Sequence, residues 1–143
     1  VPSETTRVEI VATITGHGFQ QDDANCAEFC DHQHHYYMDS HHTYEWHPIV
    51  YSNTGCENEV NNGVVANQFG SWPFGRAGWC AGQDVKQWSF DITSWVDMNG
   101  QNNELTYRGL FNGQEYNPTG ESSKGGRNIV AEIWVVFYTN STA

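Results

Sequence analysis

Seven histidines crowd the stretch from His17 to His47, and the rest of the chain has none. Imidazole nitrogen is a borderline donor that suits Cu(II), Zn(II) and Ni(II), so this crowding points first to a transition metal. His32 and His34 stand two apart, the spacing that sends side chains to one side of a pleated strand, while His35 points away. A third imidazole from neighbouring chain would close a three-nitrogen site, and His17 and His47 are the candidates. The expected metal centre is therefore His17, His32, His34 and His47, with copper ahead of zinc. The plainer reading is a polar strand of solvated histidines that titrate together in mildly acidic solution.

A second chemistry rests on Glu28 and Arg76. Glu28 lies within Cys26-Ala27-Glu28-Phe29-Cys30, and Arg76 within Gly75-Arg76-Ala77-Gly78-Trp79-Cys80. A carboxylate held in a tight loop can act as a base or a hydrogen-bond acceptor. A planar guanidinium forks onto a carboxylate or a pair of hydroxyls. For Arg76 the plainer reading is a structural arginine that bonds loop carbonyls or a buried acid. Trp46, Trp72 and Trp79 offer faces on which a sugar could stack, although Trp79, beside a cysteine, reads as core and Trp72 as exposed. The chain carries no phosphate loop, Ser-His-Asp arrangement or nucleophilic cysteine motif.

Cys26, Cys30, Cys56 and Cys80 fit two disulfides. Three connectivities exist in principle. A CxxxC pair closes locally if the backbone bends sharply, which leaves Cys56 with Cys80. A zinc site is the rival, but the wide second spacing lacks the paired CxxC knuckles of four-cysteine sites. Bridges imply an oxidising compartment, hence a secreted or cell-surface protein. Asn140-Ser141-Thr142 is an N-glycosylation sequon, with Asn140 as acceptor.

The elements that must position these groups read as strands. Val8, Ile10, Ala12 and Ile14 alternate with more polar residues, as in a strand with one buried face. Gln33–Met38 and Thr43–Tyr51 form two further strands around a polar Asp39–His42 stretch. Trp88–Val96 and Leu105–Phe111 flank the Asn99-Gly100 turn. Ile129–Tyr138 is apolar on both faces, as a central strand would be. Ser52–Asp84 reads as a long ordered loop without helical period, and Gln114–Arg127 as a hydrophilic one. The pattern gives an all-β sandwich or jelly roll in one domain, residues 1–143.

Bulk properties narrow the function. The chain has 143 residues and a net charge of −11, which repels phosphate backbones and excludes nucleic acid as a partner. No apolar run reaches the ~20 residues of a membrane span. The chain opens at Val1 without an apolar leader, so a targeting segment is expected to have been removed or to lie outside it.

The two cysteine motifs, with Ile14-Thr15-Gly16 ahead and Cys56 between them, resemble the C-terminal domain of the peptide-N-glycosidase F family. Enzymes of that family hydrolyse the bond between asparagine and an N-linked glycan. The resemblance implies an antiparallel eight-stranded jelly-roll sandwich with bridges Cys26–Cys30 and Cys56–Cys80. It puts Glu28 on a carboxylate needed for activity and Arg76 on a substrate-positioning arginine. The family's active site lies between two jelly rolls, and its principal catalytic aspartate belongs to the other one. His17 stands where the family has a substrate-contacting tryptophan.

A looser resemblance is to the copper-dependent peptidylglycine α-hydroxylating monooxygenase. It rests on His32-Gln33-His34 and on His47-Pro48; that site's methionine has no counterpart in the C-terminal strand.

Three functional classes follow. The chain is expected to be a metal-binding module, an N-glycan or glycopeptide binding or amidase domain, or a structural subunit that self-assembles or serves a larger surface protein. As an enzyme it would be amidase-like or monooxygenase-like.

Overall fold

The computed structural model describes residues 1–18, 26–47, 49, 53–66, 68–100, 102–117 and 128–140. Within them the chain forms seven strands: β1 (Thr5–His17), β2 (Gln33–Met38), β3 (His41–Tyr44), β4 (Trp88–Asp91), β5 (Thr106–Phe111), β6 (Gln114–Glu115) and β7 (Asn128–Thr139). One antiparallel sheet has the order β4-β1-β7 and the other β3-β2-β5-β6.

The alternation in β1 is obeyed to the residue. Val8, Ile10, Ala12 and Ile14 are all buried, and they meet Tyr36, Met38 and Ile92 in one core. Burying each large apolar side chain stabilises the fold by roughly 1.5–3 kcal/mol. The stacked rings of Tyr36 and Trp88, with centroids 5.2 Å apart, tie the two sheets together. A smaller core of Ile49, Cys56, Val64 and Cys80, with Trp72 against it, lies under the loops. Both bridges are formed, Cys26–Cys30 and Cys56–Cys80.

Several boundaries differ from expectation. Among the described residues β7 is an edge strand, pairing along β1 only, and Val130, Trp134, Val135, Phe137 and Tyr138 are exposed. Its two apolar faces report a hydrophobic strand that its own sheet does not enclose. The terminal strands do lie side by side, from Thr5↔Thr139 to His17↔Asn128.

The stretch expected as a strand from Thr43 begins earlier, at His41. Asp39 takes the left-handed conformation, φ 51°, which short polar side chains tolerate, so the chain reverses at Asp39-Ser40. Strand geometry ends at Tyr44, and Pro48 and 50–52 lie outside the described residues. β4 stops at Asp91, where Thr93 N bonds Asp91 Oδ1 at 2.8 Å and turns the chain. Gly55–Asn62, read as loop, is a 3-10 helix pinned by Cys56 and closed by Gly63 at φ 103°. Of the expected loop Gln114–Arg127, the first two residues form β6, and 118–127 lie outside the described residues.

Candidate functional site

Two short 3-10 turns carry Glu28 and Arg76: Ala27–Phe29, closed by the first disulfide, and Arg76–Gly78, ahead of Cys80. They are brought together at the end of β1 by backbone bonds. Ala77 N–H donates to Cys30 O at 2.8 Å, and Glu28 N–H to Gly18 O at 2.8 Å. Ala27, Arg76 and Ala77 all have positive φ, of 38°, 32° and 54°. Non-glycine residues in that region cost roughly 1 kcal/mol or more each, and such strain gathers where function needs it.

The two sequence-selected residues meet. Arg76 Nη2 lies 2.8 Å from Glu28 Oε1. Ser71 Oγ–H donates to the same oxygen at 2.8 Å and itself accepts from Arg76 Nη2 at 3.0 Å. Gly18 N–H donates to the other oxygen, Oε2, at 3.0 Å. Arg76 is buried, while the Glu28 side chain keeps 21% of its surface exposed. The carboxylate thus faces solvent from a fixed position, with the guanidinium behind it. Among the described residues, the buried Arg76 Nε has no hydrogen-bond partner. The acid that Arg76 pairs with is Glu28, which is partly exposed rather than buried.

Around this centre stand rings. His17, expected as a metal ligand, ends β1 beside Gly18; its Nε2 lies 2.8 Å from Thr15 Oγ1 and its ring 6.3 Å from that of Trp79. Trp79, half-buried, donates to Gln83 O at 2.9 Å, and the Arg76 guanidinium lies 5.9 Å from its ring centre. Phe69, two residues before Ser71, is fully exposed at a left-handed turn, φ 53°. Ser71 and Phe69 belong to no recognisable motif, and their placement depends on how the loop folds. Trp72, expected on the surface, packs on the smaller core, whereas Trp46 is exposed.

Of the remaining histidines, His32, His34 and His47 are buried, whereas His41 and His42 are exposed. His34 lies on β2 and His32 just ahead of that strand. His34 Nε2–H donates to Ala77 O at 2.7 Å, and its Nδ1 accepts from Tyr107 O–H at 2.9 Å. Both of its nitrogens are thereby engaged, and burial drives its pKa down to about 3. His47 Nδ1 stands 3.0 Å from Asp31 Oδ1. Burial nevertheless holds its pKa at about 4. His32 packs between Phe111 and Tyr116, with Nδ1 3.3 Å from Cys30 Sγ.

Among the described residues, the one group of three or more potential ligands with donor atoms within 4.8 Å of one another is Cys26, Cys30 and His32, so His17, His32, His34 and His47 do not share a donor point. The two sulfurs of that group are bonded to each other. A disulfide has no thiolate to give a metal, so the bridged form offers a single imidazole. The four-histidine copper site does not fit this arrangement.

The fold and its polar centre define a disulfide-stapled β-sandwich module, with Glu28 and Arg76 held at one end of the sandwich on loops. Kinship carries this further: the family described as Peptide-N-glycosidase F, C terminal, matches residues 1–136. The chain belongs to that family, which makes it a glycan-related module. Neither the search of curated proteins nor that of solved structures found a match. No described helix is long and apolar enough to cross a membrane, and two disulfides are compatible with an extracellular setting.

Proposed function

We propose that the chain, read as one jelly-roll domain over residues 1–143, binds N-glycosylated peptide at the Glu28–Arg76 centre. The observation that carries this is the Glu28 carboxylate, held by Arg76, Ser71 and Gly18 and still open to solvent. Such a group accepts hydrogen bonds from an amide or a sugar hydroxyl, and the fixed guanidinium keeps it oriented. The exposed ring of Phe69 supplies an apolar face on the loop that carries Ser71. Hydrolysis of the glycosyl amide needs a base for water and a donor for the leaving nitrogen. Glu28 fills one of these roles; the family's principal aspartate, on a companion domain, would fill the other.

Titration calorimetry with an N-glycosylated asparagine peptide tests the reading. Wild type should bind, Glu28→Gln and Arg76→Lys should bind about tenfold or more weakly, and the aglycosylated peptide should not bind. Equal affinity for both peptides, or no effect of either substitution, overturns it. A release assay on the same set reports on amidase activity.

The interior donor group supports a second reading, metal capture. With the Cys26–Cys30 bridge opened, two thiolates and the His32 imidazole form a soft set that suits Cu(I), and Zn(II) after it. A further equivalent of copper or zinc taken up only after reduction supports this, and uptake unchanged by reduction removes it.

A further inference from the structure

A pair of imidazoles that none of the preceding readings uses stands on the outer face of the β2–β3 hairpin. His35 Nδ1 lies 2.9 Å from His42 Nε2. The ring planes are 3° apart and the centroids 5.1 Å apart, so the rings meet edge to edge with the two nitrogens facing each other. The strand register sets this up. His35 is paired with Tyr44 and Tyr37 with His42, making the two histidines diagonal neighbours on one face. Tyr37 lies against His42 at 4.5 Å and Tyr44 against His35 at 5.4 Å, which limits where the rings can turn.

The proton count matters. Gln33 Oε1, an acceptor, lies 3.3 Å from His35 Nε2, which therefore carries its hydrogen. His35 Nδ1 then presents a lone pair, and the hydrogen between the rings belongs to His42 Nε2. Moving that hydrogen to His42 Nδ1 leaves two lone pairs facing each other across 2.9 Å, and a turn of both rings brings them onto one point beside that line. Two nitrogens bound at ~2.0 Å and at a right angle stand ~2.9 Å apart, the spacing of neighbouring ligands in a tetragonal N,O site. A tetrahedral ion needs a wider pair. Gln33 would hold the His35 ring as an outer partner holds a ligating imidazole. His42 is exposed, and β3 is an edge strand, so water can fill the remaining positions. A net charge of −11 draws cations to the surface.

We infer that His35 and His42 form a surface chelate for a divalent transition metal of tetragonal preference, Cu(II) before Ni(II) and both before Zn(II). The cation, at ~2.0 Å from each nitrogen, sits beside the line between the rings on which the shared hydrogen now lies. The site needs neither reduction of the disulfides nor the Glu28 centre.

Cu(II) titration of the non-reduced protein, followed by calorimetry and electron paramagnetic resonance, tests this. Wild type should bind one equivalent at this site with a two-nitrogen spectrum, more tightly than it binds Zn(II). His42→Asn and His35→Asn should each weaken uptake roughly tenfold or more and remove one nitrogen from the spectrum. Glu28→Gln should bind Cu(II) as wild type does, which separates this result from the glycopeptide reading. Circular dichroism confirms that the exposed His42→Asn variant is folded. Absence of Cu(II) uptake, or a spectrum and affinity unchanged in folded His42→Asn, overturns the inference.

Discussion

Gly16 presses its backbone against Ala27, so that a Cβ added at residue 16 would stand 2.5 Å from the Ala27 carbonyl oxygen and 2.8 Å from the carbonyl carbon of Arg76. The two segments so nearly in contact are those that carry Glu28 and Arg76. β1 therefore acts as a spacer whose last turnless residues set the separation of the acid and the guanidinium.

Gly16→Ala should therefore hurt the site and the fold together. Both nearest neighbours are backbone, which cannot rotate away as a flexible side chain would. The expected loss is about 1–3 kcal/mol of stability, the usual cost of overpacking, with weaker glycopeptide binding. Urea denaturation and calorimetry check this; an unchanged midpoint with unchanged affinity would show that the turns give way freely.

Tyr107→Phe should cost about 1–3 kcal/mol, because it keeps the ring and strands a buried acceptor on His34 Nδ1. It also probes the metal expectation directly. If His34 can serve as a ligand, freeing Nδ1 should raise Zn(II) or Cu(II) uptake in the non-reduced protein. Uptake equal to wild type leaves His34 as a structural histidine.

The fold and the polar centre were legible in the sequence to different depths. Val8, Ile10, Ala12 and Ile14 announced β1, because period-two burial is a local property. Glu28 and Arg76 were legible because disulfide motifs fix local chain shape. β7 was expected as a central strand and is an edge strand among the described residues, since a strand apolar on both faces says what would be favourable to cover, not whether its own sheet covers it. The His32–His34 spacing pointed to a shared side, and both residues are buried. What it could not show is that Tyr107 from β5 and the Ala77 carbonyl take both nitrogens of His34. Likewise, the His35–His42 contact exists only in the register that the Asp39-Ser40 turn imposes.

The two disulfides should separate stability from binding. Cys56–Cys80 joins residues 24 apart and Cys26–Cys30 residues only 4 apart. Loop-closure entropy makes the longer link the larger contributor, at about 3 kcal/mol. Cys56→Ala/Cys80→Ala should thus lower the melting temperature more. Cys26→Ala/Cys30→Ala, which loosens the turn that holds Glu28, should weaken glycopeptide binding more. The same ranking in both measurements would mean that the small loop does not position Glu28.

Three buried groups should give the protein a stability profile with opposing slopes in pH. His34 and His47 have pKa values of about 3 and about 4 in the fold, below the ordinary 6.5, because burial disfavours the imidazolium. Their contribution is complete above the unfolded value and is lost as pH falls from 6.5 through the folded values, since the unfolded chain binds the extra protons. Glu45 runs the other way. Burial raises its pKa from 4.5 to about 7, and Oε2 has no hydrogen-bond partner among the described residues. Its contribution is complete below 4.5 and is lost as pH rises towards 7, since the unfolded chain releases that proton first. Glu45→Gln cannot ionise, so it removes the falling branch and leaves the rising one. The stability difference between Glu45→Gln and wild type should therefore grow in the variant's favour between these limits, by on the order of 2–3 kcal/mol. Denaturant unfolding from acid to neutral pH measures it. A difference constant across that window would mean that the Glu45 carboxyl is solvated in the native state.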